Sequence, residues 1–229
     1  MPVLSRIANF DDLDPLRAEP DVDLVFVRAG ERLPADAGLV VLPGSKSTIG
    51  DLLDLREQGW DRDIAAHVRR GGRVIGICGG YQMLGHTVHD PLGIEGLVTE
   101  TPGLGLLDIE TEMAPEKTVR NSLAVSKEYD VPLSGYEIHL GVTRGPDCER
   151  PSAMIDGRPD GAVSPDGRIM GTYLHGLFGS DAYRAKLLAS FGLSGERVNY
   201  RASVDMALDE VAAELESVLD PAWLDGLVA

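Results

Sequence analysis

Residues 71–85 read GGRVIGICGGYQMLG, and this stretch constrains the chain more than any other. Residues 73–77 form an apolar, β-branched run of strand length, and the residues after Gly79 open a helix. Between them, Gly76-Ile77-Cys78-Gly79-Gly80 has the G-x-nucleophile-x-G form of a nucleophile elbow, with cysteine where an esterase carries serine. The residue types follow from the geometry. A strand that turns abruptly into a helix strains the backbone of its corner residue and brings neighbouring chain segments close, so small residues must flank it. The same turn points the sulfur toward solvent and sets it near the helix N-terminus, where unpaired N–H groups favour a thiolate. A lone cysteine closing a core strand is otherwise a small apolar filler. The glycines on both sides of Cys78 select the nucleophile reading.

A chain of 229 residues is long enough for one large domain. Its core is expected at about residues 20–195, with a C-terminal helical segment over 200–229. The formal charge of −16, from 21 basic and 37 acidic residues, repels nucleic acid and anionic membranes, so neither is expected as a partner. No run reaches the apolar length of a membrane helix and no basic-then-apolar leader opens the chain, so a cytoplasmic location is expected. Cys78 and Cys148 are the two cysteines. Cys148 falls in the polar stretch 145–151, read as an exposed loop, and the pair has neither disulfide-framework nor zinc-site spacing. His86 and His89 have no clustered ligands around them. They read as loop histidines, and no metal is expected.

Apolar runs at residues 22–28 and 38–42 are continuous rather than alternating, as in strands covered on both faces of a parallel sheet. Residues 48–70 carry apolar positions at helical spacing and predict two helices broken near Gly59. The order strand, strand, helices, strand, elbow, helix predicts an α/β fold: a doubly wound, flavodoxin-like, mostly parallel sheet flanked by helices. Further strands are predicted at 104–110, 118–125 and 136–143, with Asp-Gly turns at 156, 160 and 166 whose spacing is not that of a calcium loop. Residues 180–191 predict a helix. So do residues 204–219, whose apolar stripe is expected to pack on the domain.

A cysteine nucleophile needs a base. His175 ends an apolar strand and precedes glycine, the setting of a residue held at the carboxyl edge of a sheet. His139, in Gly135-Tyr136-Glu137-Ile138-His139, is the competitor. An oxyanion hole is the third requirement. Pro43-Gly44-Ser45 follows the 38–42 strand to the same sheet edge, where a backbone N–H at Gly44 could join that of Gly79. The neighbouring Lys46-Ser47-Thr48 looks like a phosphate loop, but Ser45 separates Gly44 from the lysine and the spacing fails.

LPGSKST, GICGGYQMLG, GYEIHLG and YLHGLF, in that order and spanning nearly the whole chain, resemble the glutamine amidotransferase domain of the cobyric acid synthase family. This is the cobalamin-pathway branch of the class I, triad-type glutamine amidotransferases. The resemblance implies that Cys78 attacks the side-chain amide of L-glutamine while His175 activates the thiol and protonates the leaving nitrogen. Gly44 and Gly79 match the oxyanion donors, and Gln82 matches the side chain that contacts glutamine. Ser45, Tyr136, Glu137 and His139 match motifs near the site, with a structural role for the last three as the competing reading. Most class I members carry glutamate two residues after the histidine. Leu177 stands there, as in the cobyric acid branch, which leaves the orienting partner of His175 unidentified. The family also joins this domain to an ATP-dependent synthase domain with its own phosphate loop. ATP and magnesium are expected there, along with the corrinoid acceptor, and no cofactor is expected on this chain. Residues 1–7 fall where the family's first sheet strand finishes, so the chain is expected to be a fragment or a separate subunit. A related amidotransferase acting on lipid II or in a,c-diamide synthesis, a cysteine hydrolase, and a non-catalytic binding module are the competing functions.

Overall fold

The computed structural model describes residues 1–219; the end of the expected 200–229 segment lies outside the described residues. At its centre the strands Leu39–Leu42, Arg73–Ile77 and Ile169–Thr172 run parallel, with Val40 beside Val74 and Ile75 beside Met170, and Ala162–Val163 adds an antiparallel edge. Alternation along these strands divides the core in two. Val40, Leu42 and Val74 pack with Leu52, Leu55, Trp60 and Ile64 of the helices Thr48–Glu57 and Trp60–Arg69. Val41, Ile75 and Ile77 pack with Phe178, Tyr183 and Leu187 on the other face, where the helix Asp181–Ala189 lies. The parallel strands are thus covered on both sides, as their unbroken apolar runs require. Gly59, at φ 75°, breaks the helix pair.

A five-stranded antiparallel sheet, in the order Arg158–Asp160, Ala153–Ile155, Thr118–Ser126, Pro132–His139 and Leu174–His175, carries the histidine into the site. A smaller four-stranded sheet holds Val142–Arg144, Glu110–Glu112, Thr87–His89 and Glu100–Pro102. His89 is therefore on a strand rather than a loop, between Glu100 and Glu110. Among the described residues no helix is long and apolar enough to cross a membrane.

Several elements differ from expectation. Residues 22–28 form no strand beyond a parallel bridge between Pro2 and Val27, with Val3 N donating to Val27 O and Val27 N to Met1 O, each at 2.8 Å. Met1 N also donates to Val25 O at 2.8 Å, and Val22 and Leu24 line a cavity of about 340 Å³ against Leu39–Val41. Residues 104–109 are apolar because Leu107 and Ile109 enter the core, not because they pair; the strand begins at Glu110. Gly141, at φ 89°, splits the expected 136–143 strand in two. The core also starts earlier than residue 20, since Leu4, Leu13 and Leu16 are buried. The last helix, Tyr200–Val218, forms and is capped by Asn199, whose side chain accepts from Ala202 N at 3.1 Å. It does not pack on the domain: none of its residues is buried, and Val204, Leu208, Val211 and Leu215 are exposed. Amphipathicity specified the helix but not a surface to receive it.

Candidate active site

The elbow is built as its glycines demand. Cys78 sits at φ 53°, ψ −111°, a conformation that side-chain-bearing residues rarely hold, and caps the helix Gly79–Met83. Its N–H donates to Thr172 O at 2.8 Å, pinning the corner to the neighbouring parallel strand. A Cβ on Gly76 would lie 2.5 Å from Gly80 O, and one on Gly80 would lie 2.1 Å from Leu42 O. Gly80→Ala is therefore expected to destabilise the fold by about 3 kcal/mol or more, because only backbone stands in the way; urea denaturation measures it. The sulfur does not face open solvent as the sequence suggested. Cys78 is 7% exposed, at the bottom of a pocket of about 290 Å³. Its Sγ donates to Ile138 O at 3.3 Å.

His175 lines the same pocket and is 1% exposed. Its strand places it opposite Tyr136, whose ring stacks on the imidazole at 4.9 Å between centroids. Nδ1 lies 2.7 Å from Asp12 Oδ2, while Nε2 is buried without a hydrogen-bond partner among the described residues. Burial alone would lower the imidazole's pKa, but the Asp12 hydrogen bond and the nearby Cys78 outweigh it and raise it to about 9. His139 also lines the pocket, stacked on Tyr173 at 3.8 Å. Burial pushes its pKa down against the opposing charge of Glu137, and its buried Nδ1 accepts or donates no hydrogen bond among the described residues, so no carboxylate is hydrogen-bonded to that nitrogen.

The loop after Leu42 reaches the elbow: a Cβ on Gly79 would meet Ser45 N at 2.9 Å. Gly44 is glycine because His175 lies over it, with Cε1 3.1 Å from where a Cβ would be. The strand Gly44–Ser45 pairs antiparallel with Ile7–Ala8, and Lys46 N donates to Arg6 O at 2.9 Å. Hydrogen-bonded pairs alternate along such a ladder, so the Gly44 N–H turns to Ala8 and the Ser45 N–H turns the other way, toward Gly79. The loop thus offers its free donor at Ser45 rather than Gly44. The Ser45 hydroxyl is occupied, donating to Asp51 Oδ2 at 2.6 Å.

Gln82 lines the pocket with its amide fully engaged. Oε1 accepts from Thr48 Oγ1 at 2.7 Å, and Nε2 donates to Leu140 O at 2.8 Å and Tyr173 Oη at 3.2 Å. Glu137 is 3% exposed and held by Arg120, Ser122 and Arg158. It braces the strand beside His175 and does not line the pocket. Cys148 lies in the turn Pro146–Glu149, half-buried, with Sγ 3.7 Å from Tyr81 Oη.

Two acids at the site escaped sequence reasoning. Asp12 is one; it sits in a polar segment 163 residues from its histidine, with no spacing signal. Glu95 is the other. Its carboxylate accepts from Thr48 N at 2.9 Å and Ile49 N at 2.8 Å, and it lines the pocket with Lys46 and Lys117. Desolvation raises its pKa.

Residues 1–183 match the family described as the CobB/CobQ-like glutamine amidotransferase domain. The chain is 86% identical over 227 residues to a cobyric acid synthase of Rhizobium rhizogenes and 73% identical over 228 residues to one of Rhizobium meliloti. It covers 99% and 100% of itself in those matches but 47% of each relative, so it spans about half their length. Among solved structures it resembles a glutamine amidotransferase (TM-score 0.61, 19% identity, 84% of this chain and 98% of the other). It also resembles PurLQS from Thermotoga maritima (TM-score 0.60, 16% identity, 83% and 96%). At such identities these two establish the fold, α/β with parallel strands flanked by helices. The family match over most of its length places the chain in the CobB/CobQ-like glutamine amidotransferase domain family.

Proposed function

We propose that this domain hydrolyses L-glutamine through a thioester on Cys78 and passes the ammonia to an ATP-dependent synthase half, which amidates side-chain carboxylates of a corrinoid acid. The observation that carries the reading is the pocket itself. A cysteine sulfur at a strained elbow, a buried imidazole nitrogen without a partner, and Glu95, Lys46 and Lys117 share one cavity of about 290 Å³. An acid and two bases are the complement a zwitterionic amino acid needs, with the ammonium toward Glu95 and the carboxylate toward the lysines.

The chemistry follows from these positions. Cys78 loses its proton to His175 Nε2 and the sulfur attacks the carboxamide carbon. The oxygen gains charge against the N–H groups of Ser45 and Gly79. As the tetrahedral species collapses, the imidazolium gives its proton to the leaving nitrogen and ammonia departs. Water, deprotonated by the same imidazole, then attacks the thioester; glutamate leaves and the thiol is restored. Gln82, held on three sides, keeps the wall of the pocket in place. In this reading ATP and its magnesium belong to the synthase half, because Ser45 separates Gly44 from Lys46 and the loop lacks phosphate-loop spacing. The shared name of the relatives supports the corrinoid acceptor.

The test is glutamate release together with labelling by a glutamine-mimicking diazoketone, followed by supply of ATP and a corrinoid acid to the complete polypeptide. Release without labelling at Cys78, or amidation that continues with glutamine after Cys78→Ala, would overturn it. Glu95→Gln is expected to raise KM for glutamine by roughly 10- to 100-fold with kcat little changed, the loss of one charge-assisted contact. Steady-state kinetics checks this, and a fall in kcat alone would contradict it.

A further inference from the structure

The geometry points to Asp12 as the positioning acid of a Cys78–His175–Asp12 triad, supplied from the opposite end of the chain rather than from the residues after the histidine. This deepens the glutaminase reading and rests on it. His175 is followed by Gly176 and Leu177, and Leu177 is 3% exposed in the core, so the histidine's own element offers no carboxylate. Asp12 fills that place from the short turn Phe10–Leu13. It is 5% exposed and bound at both oxygens: Oδ2 lies 2.7 Å from His175 Nδ1, and Oδ1 accepts from Gly176 N at 2.7 Å. One carboxylate therefore fixes both the ring and the backbone behind it.

The turn is itself fixed. Asn9 is left-handed at φ 58°, Asp12 N donates to Asn9 O at 3.2 Å, and Leu13 and Leu16 sit in the core at 1% and 4% exposure. Nδ1 has a second neighbour, Asn9 Nδ2, at 3.2 Å. The Asn9 amide has two N–H groups and gives one to Tyr136 Oη at 2.6 Å; the closer partner of Nδ1 is the Asp12 carboxylate, which when ionised can only accept, so the 2.7 Å contact places the proton on Nδ1. With that proton held, Nε2 is the nitrogen free to exchange a proton with Cys78. The groups facing the imidazole are Asp12 from the turn, Cys78 from the elbow and Tyr136 from the adjoining strand, with His139 at longer range. Asp12 is the carboxylate among them. The same segment pairs with Gly44–Ser45 through Ile7 and Ala8, so one stretch orders both the base and the oxyanion loop.

The variant Asp12→Asn separates a positioning role from a merely structural one. Its amide oxygen can still accept from Gly176 N, while its NH₂ then faces Nδ1 and selects the wrong tautomer. In the complete polypeptide, kcat is expected to fall roughly 10³- to 10⁴-fold with KM nearly unchanged, and the high-pH limb of kcat/KM to move down. A folded variant with kcat within tenfold of wild type and an unmoved limb would overturn the assignment. A second measurement needs no variant of Asp12: with ¹⁵N-labelled histidine, the wild type should show a downfield, exchange-protected Nδ1–H, assigned by its loss in His175→Ala. Its absence overturns the assignment even if Asp12→Asn unfolds. Wild type that neither releases glutamate nor labels at Cys78, yet shows this proton, rejects the glutaminase reading and keeps the contact.

Discussion

Cys78→Ala is expected to abolish glutamine hydrolysis, with a loss of roughly 10⁶-fold in kcat, the scale seen when a covalent nucleophile that acts as a unit with its base is removed. In the wild type a glutamine-mimicking diazoketone is expected to alkylate Cys78 and spare Cys148. The two sulfurs differ in their neighbours. Cys78 lies in the pocket with His175 and beside the oxyanion loop. Cys148 is half-buried against Tyr81, and burial pushes its thiol pKa up, away from the thiolate. Peptide mapping of the labelled protein decides between them. Label on Cys148, or turnover that survives Cys78→Ala, would remove the thioester from the mechanism. Rescue of amidation by added ammonium salts in Cys78→Ala would further place the lesion in ammonia supply rather than in the synthase step.

What could be read before the structure was what local sterics enforces. Gly76, Gly79 and Gly80 announce the elbow because a Cβ at each would strike a neighbouring atom within 3 Å. The 38–42 and 73–77 runs announce parallel strands because both their faces are covered. Pro43-Gly44-Ser45 was legible as the loop beside the elbow, since it continues a strand adjacent to the elbow's own, but which N–H is free depends on ladder parity with Ile7–Ala8. That pairing joins residues far apart in sequence and leaves no periodic trace. Asp12 was hidden for the same reason, and Glu95 lies in a loop whose own cap, Asp90, accepts from Ile94 N and Glu95 N. For Glu137 the sequence left a site role and a structural role open. Its motif placed it near the site, and its carboxylate is consumed by Arg120, Ser122 and Arg158. The exposed Tyr200–Val218 helix makes one further point: an apolar pattern specifies that a segment can be covered, while the covering partner is information of another segment.

His175→Ala is expected to lower kcat about 10⁴-fold or more and to slow diazoketone labelling of Cys78, whereas His139→Ala stays within about tenfold on both measures. The two histidines line one pocket, so proximity does not choose between them; charge does. A general base that must later act as an acid needs its imidazolium stabilised, and only His175 has a carboxylate on Nδ1. Burial lowers the pKa of both rings, but at His175 the Asp12 hydrogen bond and Cys78 reverse the effect and bring it to about 9. The sign of the pH dependence follows. A folded-state pKa raised above the unfolded value of 6.5 contributes stability that is fully present below pH 6.5 and is lost as the pH rises through about 9. The imidazolium that protonates the leaving nitrogen is lost over the same range, so kcat/KM should fall on a limb near pH 9. Thermal melts and pH profiles recorded together check both. His139→Ala should keep the limb and the slope of stability, and His175→Ala should lose the slope. If instead the limb follows His139, the base is His139 and Asp12 orients a ring that takes no part in proton transfer.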